Sequence, residues 1–451
     1  MRKFQEKNTL VQNTDFLLDI SYLNLDANWT HTWKTKDKIA INLSAVNRLT
    51  NTTNTYDIKE KNNQSPNIDT LISTSNNKDL GTRLVYTGTI DYTKQFNKNI
   101  GFETGILLKH FKFDINYKDI LSGIENYEKS GDYNLNYNIL AHYALFTHEK
   151  NKFAYKLGVR LEYENRNINH SNISVVNEAS YLNFYPSLHL SYKLKEKSTI
   201  QLSYSKKINR PHMHSLNPDT VHVESNDIRV GNPNLKPESI HSIECNYQKQ
   251  FKKNSLITEL YYKKTTNIIS EFKTMKDEYF VYSFQNFDSD HAVGIETTFD
   301  SNLAKWWNFY VSGNIYYYSI DNAPTAQNFE NKITWNVKTN TSFSLKSQTK
   351  IQFSARYNSK KLNMQGYSDS FFSIDAALSQ QFFKKKLSVT ASIKDIFATA
   401  NQTNYIYNAD FEEVSLSENF APMILVNLSY KINNNYKSKK QQQKEDSAEE
   451  F

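Results

Sequence analysis

The chain has 451 residues, too many for one small soluble domain and enough for a large single architecture or two to three domains. Its formal charge of +7 is spread over scattered lysines in short segments such as 34–38, 193–197 and 384–386, which is not the footprint of a nucleic-acid-binding face. The single cysteine, Cys245, excludes an internal disulfide and any multi-cysteine metal site, and it reads as a small packing residue in a strand-like run.

Taken from the N-terminus, Met1–Lys7 begin with basic residues but lack the apolar stretch of a signal peptide, and residues 1–15 read as disordered or loop-like. From residue 16 to 432 the dominant period is two. Leu157, Val159, Leu161 and Tyr163 alternate with Gly158, Arg160 and Glu162. Ile351, Phe353, Ala355 and Tyr357 alternate with Gln352, Ser354 and Arg356 in the same way. That is the signature of strands with one apolar and one polar face. No run of eighteen apolar residues occurs, so a membrane-spanning helix is not expected. About seventeen strands are expected, many near ten residues, long enough to cross a bilayer when tilted. Two are expected to be unusually long, 279–302 and 387–411, with the last at 415–432.

The connections alternate between tight basic turns and long polar loops. The turns lie near 34–38, 97–99, 149–152, 195–198, 252–255, 346–350 and 383–386; the loops span 54–80, 117–132, 169–180, 208–237 and 320–332. Short turns on one side and long loops on the other mark an outer-membrane β-barrel, with the loops outside and the turns in the periplasm. The 30 tyrosines and 27 phenylalanines suit its interfacial girdles. Trp306 and Trp307 beside Lys305 read as a periplasmic interface anchor. Residues 433–451 are charged and low in complexity, and a disordered tail is expected there; Tyr430 rather than Phe451 closes the last alternating run.

One ordered series carries a family resemblance. Strand eight ends in Arg210-Pro211, followed by Leu216-Asn217-Pro218, then Gly231-Asn232-Pro233-Asn234-Leu235-Lys236-Pro237-Glu238. Ala292-Val293-Gly294-Ile295-Glu296 and Lys394-Asp395-Ile396-Phe397 complete it. The series resembles the C-terminal β-barrel of TonB-dependent receptors, in the flavour of the outer-membrane β-barrel group common in Bacteroidetes-type bacteria. The resemblance implies a barrel of twenty-two strands, an N-terminal plug, a TonB-pairing segment and a signal peptide. None of the last three is read in these residues, so a truncated or split gene product is expected, with a complete smaller barrel as the alternative. The motif itself reads mainly as architecture: Pro233 and Pro237 stiffen the re-entry into a strand, and Gly231 is expected to permit a positive φ.

Candidate ligand contacts are His212, His214 and His222 in the long loop, with His241 just beyond it; histidine is a common haem and metal ligand, and some haem receptors of the family that the chain resembles carry a histidine between the Arg-Pro and Asn-Pro-Asn-Leu elements. Glu103, Arg160, Glu162, Arg356 and Asp375 sit on polar strand faces and are expected to line the lumen. No serine–histidine constellation, phosphate loop, His-Glu-x-x-His or calcium loop occurs, so neither a catalytic residue nor a resident metal or cofactor is assigned. The expected partners are outer-membrane lipid and, through a plug, the TonB system; a surface lipoprotein partner is left open and nucleic acid is excluded. The functional reading is uptake of a scarce or large ligand. The alternatives are a passive porin-like or structural barrel and, least favoured, an outer-membrane enzyme.

Overall fold

The computed structural model describes residues 9–61, 69–121, 124–125, 130–171, 177–195, 197–222, 227–276, 279–322 and 333–432. Seventeen long antiparallel strands follow one another as a meander, each hydrogen-bonded to the next. They are β1 (Thr9–Thr32), β2 (Lys38–Lys61), β3 (Asp69–Gln95), β4 (Ile100–Leu121), β5 (Gly131–Lys150), β6 (Phe153–His170), β7 (Asn177–Lys195), β8 (Ser198–Asn209) and β9 (Glu238–Phe251). Then come β10 (Asn254–Lys276), β11 (Tyr279–Ala304), β12 (Trp307–Asp321), β13 (Ile333–Ser344), β14 (Thr349–Asn358), β15 (Phe371–Phe382), β16 (Leu387–Lys394) and β17 (Met423–Tyr430). The number is the one read from the alternation. Strand pairing already starts at Thr9, ahead of the barrel boundary expected at residue 16. Among the described residues, no pairing joins β1 to β17.

The period of two separates a lipid face from an inner face. On β6, Phe153, Leu157, Val159, Leu161 and Tyr163 are all exposed, whereas Glu162, Glu164, Arg166 and Ile168 are buried. In water, so continuous an apolar surface would be an aggregation liability; against acyl chains it is the required one. Phe153 pairs with Tyr192, and Tyr163 with Leu182; Trp307 pairs with Phe343, and Tyr317 with Ile333. The members of each aromatic pair of levels are ten residues apart on one strand, which at about 3.3 Å per residue and about 40° of tilt separates them by roughly 25 Å, the height of a hydrocarbon band. Trp306 and Trp307 stack at 6.0 Å beside Phe343 at the short-turn end. The turns there use left-handed residues, among them Lys36 (φ 68°), Asn151 (φ 55°) and Lys384 (φ 56°), which let the strands reverse without a loop.

Several expected loops are strand instead. β2 continues to Lys61 and β3 starts at Asp69, so Thr55 pairs with Asn76 inside the segment read as loop 54–80. Such stretches are polar on both faces because they project beyond the apolar band, and polarity alone does not distinguish them from loop. Residues 62–68, 172–176, 323–332 and the expected tail 433–451 lie outside the described residues, as does the side chain of His222.

The expected strand 279–302 is a single strand, β11. The expected strand 387–411 is not. Asp395 (φ 47°) turns the chain after Lys394. Its carboxylate accepts the amides of Thr399 and Ala400 at 3.1 and 3.0 Å, as a helix-capping or Asx turn does. Residues Gln402–Tyr407 and Glu412–Ser417 then form a hairpin that joins Lys361–Asn363 and Gly366–Ser368 in a separate four-stranded sheet. The final transmembrane strand therefore starts at Met423 rather than 415, and the count in the meander is unchanged.

Candidate functional site: the inner wall and the loop folded onto it

Each strand sends alternate side chains to the inner face, and β6 places Arg160, Glu162, Glu164 and Arg166 there in one row. Arg160 donates to Glu162 Oε2 from Nε (2.9 Å) and Nη2 (2.5 Å). Arg210, arriving from the end of β8, pairs with Glu162 and Glu164 and donates from Nε to Glu164 (2.8 Å) and to the Tyr137 hydroxyl (3.1 Å). Glu162, Glu164 and Arg166 are almost wholly buried. Charges removed from water to this extent persist only when paired and hydrogen-bonded.

The described residues after Arg210, 211–222 and 227–237, fold back onto the wall. Met213–Leu216 form one helical turn, and the chain then returns beside it: Gly231 N–H donates to Asn217 O (2.9 Å) and Asn232 N–H to Ser215 O (2.7 Å). Leu216 and Leu235 pack with Val85, Phe111, Tyr133, Leu135 and Ile168 in one buried apolar cluster on the wall of β3 to β6. Burying such a leucine stabilises by about 1.5–3 kcal/mol. Arg166 Nη2 caps the loop from below, donating to Pro233 O (2.9 Å) and Leu235 O (3.0 Å).

The rest of the motif ties the loop to the wall. Asn232 Nδ2 donates to Phe284 O (3.0 Å), while its Oδ1 accepts the amide of Asn234 (2.9 Å). The amide and carbonyl of Lys236 are both met by Asn286, at 2.8 Å each. Glu238 accepts the Ile269 amide (2.6 Å) and Asn209 Nδ2 (2.8 Å), and Pro237 leads directly into β9. Gly231 corrects the expectation of a positive φ, because the left-handed glycine region is not used there. Glycine is required by close approach: a Cβ would lie 2.2 Å from Asn217 O, backbone against backbone.

The candidate histidines separate. His212 and His214 stack at 5.6 Å, and His214 meets the Phe284 ring edge-on at 5.7 Å. Burial first, then the neighbouring charges of His212 and Arg229, hold the His214 pKa below its ordinary 6.5. His241 lies on β9 against Tyr204, with Tyr204 Oη and His241 Nδ1 3.0 Å apart. Among the described residues, no group of three or more His, Cys, Asp or Glu is placed to hold a metal. Glu103 pairs with Thr93 near the short-turn end. Arg356 lies over the Phe371 ring at 5.2 Å. Asp375 accepts Lys394 Nζ (3.0 Å) and the Asp395 amide (2.9 Å), so it supports the turn that ends β16.

The reading of strand faces missed Glu164, Arg166 and Tyr137, although Arg160-x-Glu162-x-Glu164-x-Arg166 is legible as one charged face. It also missed Lys273. That side chain is buried and pairs with Glu413 of the outer hairpin, lies 3.5 Å from Asp227, and donates to Tyr282 Oη (2.6 Å). Gln365 and Asn408 bond its backbone, so β10, the segment at 227–230 and the four-stranded sheet meet at this residue.

The sequence profile of the outer membrane protein beta-barrel family matches residues 31–430. The chain belongs to that family. This outer-membrane barrel has none of the curated proteins as a match. Among solved structures it is similar to the pyoverdine outer membrane receptor FpvA of Pseudomonas aeruginosa PAO1, with 13% identity, a TM-score of 0.62, and coverage of 91% of this chain and 61% of that one. It is similar also to the ferric-catecholate import receptor Fiu of E. coli K12, with 12% identity, a TM-score of 0.60, and coverage of 94% and 74%. The ferric yersiniabactin uptake receptor FyuA of Yersinia pestis gives 11% identity and a TM-score of 0.55, with coverage of 84% and 60%. The family barrel thus spans about 60% of the FyuA and FpvA chains, and at these identities the likeness is one of fold. It agrees with the resemblance carried by the Arg-Pro and Asn-Pro-x-Leu-Lys-Pro-Glu series.

Proposed function

We propose that the chain is the barrel portion of a TonB-dependent receptor that takes up a scarce or large ligand, with its plug supplied by further polypeptide. The observation that carries this reading is the described part of the loop, residues 210–222 and 227–237, held on the inner wall by an apolar cluster around Leu216 and Leu235 and by Arg166. A passive pore needs a water-filled lumen, whereas here an ordered, hydrogen-bonded segment occupies the inner face. Receptor folds among solved structures support the same reading. The ligand would be met by the outer loops and passed along the charged inner wall, and no reacting group is needed for that.

The test compares what cells with and without the gene remove from their medium, before and after the proton-motive force is collapsed. Energised uptake predicts a solute that only energised cells carrying the gene deplete. Depletion that persists without the proton-motive force would instead establish a passive barrel, and no gene-dependent depletion would reject transport.

A further inference from the structure

One arrangement of side chains occurs twice on the lipid-facing surface towards the loop end, and the two copies differ at a decisive position. β9 carries Ser239-x-His241 and β11 carries Ser289-x-His291. In each copy the preceding strand supplies a tyrosine, Tyr204 opposite Ile243 and Tyr262 opposite Val293. Tyr262 Oη lies 2.9 Å from His291 Nδ1, and Tyr204 Oη lies 3.0 Å from His241 Nδ1. At His291 the following strand, β12, brings in Asp321, whose Oδ2 lies 3.0 Å from Nε2 and accepts the Ser289 hydroxyl at 2.6 Å. Nε2 carries a proton to meet that carboxylate, so Nδ1 accepts from the tyrosine. At His241 the register places Thr266 of β10 where Asp321 stands, since Thr266 pairs with Ser239 as Asp321 pairs with Ser289. The same tyrosine contact leaves His241 Nε2 as a donor, but the following strand offers it no carboxylate. Lys206 and Lys264, the direct cross-strand partners of His241, flank it instead. Neither lysine forms a hydrogen bond or an ion pair among the described residues, and Lys264 feels Asp321 only at longer range.

This second copy lies at the outer edge of the hydrocarbon band. The register row through Tyr317 passes Val293, Tyr262, Ile243, Tyr204 and Leu188 to Leu157. Leu157 is six residues from Tyr163, the outer aromatic level on β6, and the row has crossed six strands, so it descends by one residue per strand. On that slope Lys264 sits at the outer aromatic level, with His241 one residue below it and Lys206 two below. Two residues correspond to a depth of roughly 5 Å, which a lysine stem spans to keep its ammonium at the interface. Leu202, Ile243 and Leu260 are exposed just beneath, on the same face. A row of cations without a carboxylate of its own, set above an acyl-facing surface, suits an anionic headgroup. We infer that Lys206, Ser239, His241 and Lys264 bind the phosphate of an outer-leaflet lipid. Its oxygens take the place that the Asp321 carboxylate holds beside His291, and its acyl chains lie over Leu202, Ile243 and Leu260. Lysine suits this task because its compact ammonium meets phosphate as a point charge.

The inference does not depend on the uptake reading, only on the place of the barrel in the outer membrane. The probes are phosphatidic acid, diacylglycerol with the same chains and inorganic phosphate, each offered to the full chain folded in detergent. Lipid retained through gel filtration is quantified by mass spectrometry. Saturable retention of phosphatidic acid is expected, with no retention of diacylglycerol and no displacement by inorganic phosphate at equal concentration. His241→Phe and Lys264→Gln should each weaken retention about tenfold or more. Lys384→Gln, in a turn at the opposite end, should leave it unchanged. Thr266→Asp is the sharper test, because it gives His241 the carboxylate that His291 already has and should abolish retention while the barrel stays folded. Heat-modifiability on a gel reports the folding of each variant. No retention of phosphatidic acid, equal retention of diacylglycerol, displacement by inorganic phosphate, or wild-type retention in folded Thr266→Asp or His241→Phe would overturn the site. Retention by a protein that fails the uptake test would overturn transport and leave the site standing.

Discussion

Arg166 Nη2 lies 3.0 Å from the carbonyl oxygen of Leu235, and both residues are buried although 69 positions separate them in the chain. One arginine on the wall thus satisfies backbone acceptors that the incoming loop would otherwise bury unpaired. The same nitrogen reaches Pro233 O at 2.9 Å, and Leu235 fills the buried apolar cluster beside it. Arg166 also lies within reach of Glu164. Removing it would orphan two carbonyls and weaken the compensation of a buried carboxylate together.

Arg166→Ala should therefore release the loop. Leaving a buried carbonyl without its donor costs about 1–3 kcal/mol, and two are orphaned here. Hydrogen exchange across 210–237 and trypsin cleavage within it should rise by orders of magnitude, while exchange in β12 to β16 stays as in the wild type. Unchanged protection of the loop would show that the leucine cluster alone holds it.

Gly231→Ala should destabilise through steric conflict, since the new Cβ would sit 2.2 Å from Asn217 O. Overpacking of this kind costs about 1–3 kcal/mol. Gly313→Ala is the control, because its nearest neighbour atom would be at 3.6 Å, ordinary contact. Urea titration of the detergent-folded protein, followed by tryptophan fluorescence and by cleavage within 210–237, should separate the two. Equal effects would refute the close-approach account.

Loop docking should weaken in acid. Burial, with His212 and Arg229 adding to it and Glu271 opposing, lowers the pKa of His214 below 6.5 in the folded chain. A group with a depressed folded pKa contributes stability that is fully present above its unfolded pKa and is lost as pH falls through the folded value. Exchange protection of 210–237 should thus be constant above about pH 7 and decline below about pH 6.5. His214→Phe should flatten that profile while keeping the edge contact with Phe284. A profile unchanged in this variant would assign the effect to another group.

Lys273→Met should loosen the outer four-stranded sheet while leaving the transmembrane strands intact. The variant removes the donor to Tyr282 and Glu413 and the charge beside Asp227. Charge-assisted hydrogen bonds contribute about 1.5–3 kcal/mol each when well buried. Amide exchange over 402–417 should accelerate about tenfold or more, and the heat-modified gel mobility should not change. Exchange at wild-type rates would mean that the backbone bonds of Gln365 and Asn408 suffice.

The alternation of side chains is a local property, and it was enough to read the seventeen strands, their two faces and the sorting of short turns from long connections. It was enough because hydrocarbon on one side and a polar interior on the other impose a period of two along every crossing. Where both faces are polar, beyond the lipid band, the same signal fades, and β2 and β3 outlast the loop read at 54–80. The break at Asp395 was missed although the alternation falters there, with Asp395 on the apolar face of Leu387, Val389, Ala391 and Ile393; the φ of 47° and the caught amides of Thr399 and Ala400 end the strand.

What the sequence by itself determined is therefore the class of structure and the identity of the loop motif. What only the tertiary structure decided is the partnership of residues brought together by register and by the return of the chain. Arg48 stands opposite Arg83 because of how β2 and β3 align; Arg210 meets Glu164 because the end of β8 closes on β6. Gly231 is glycine because Asn217 comes back beside it, not because of its own φ. The physical reason is one of range: a strand's period is written within a few residues, whereas the energy of a buried charge or a backbone clash depends on atoms that the chain supplies from far away.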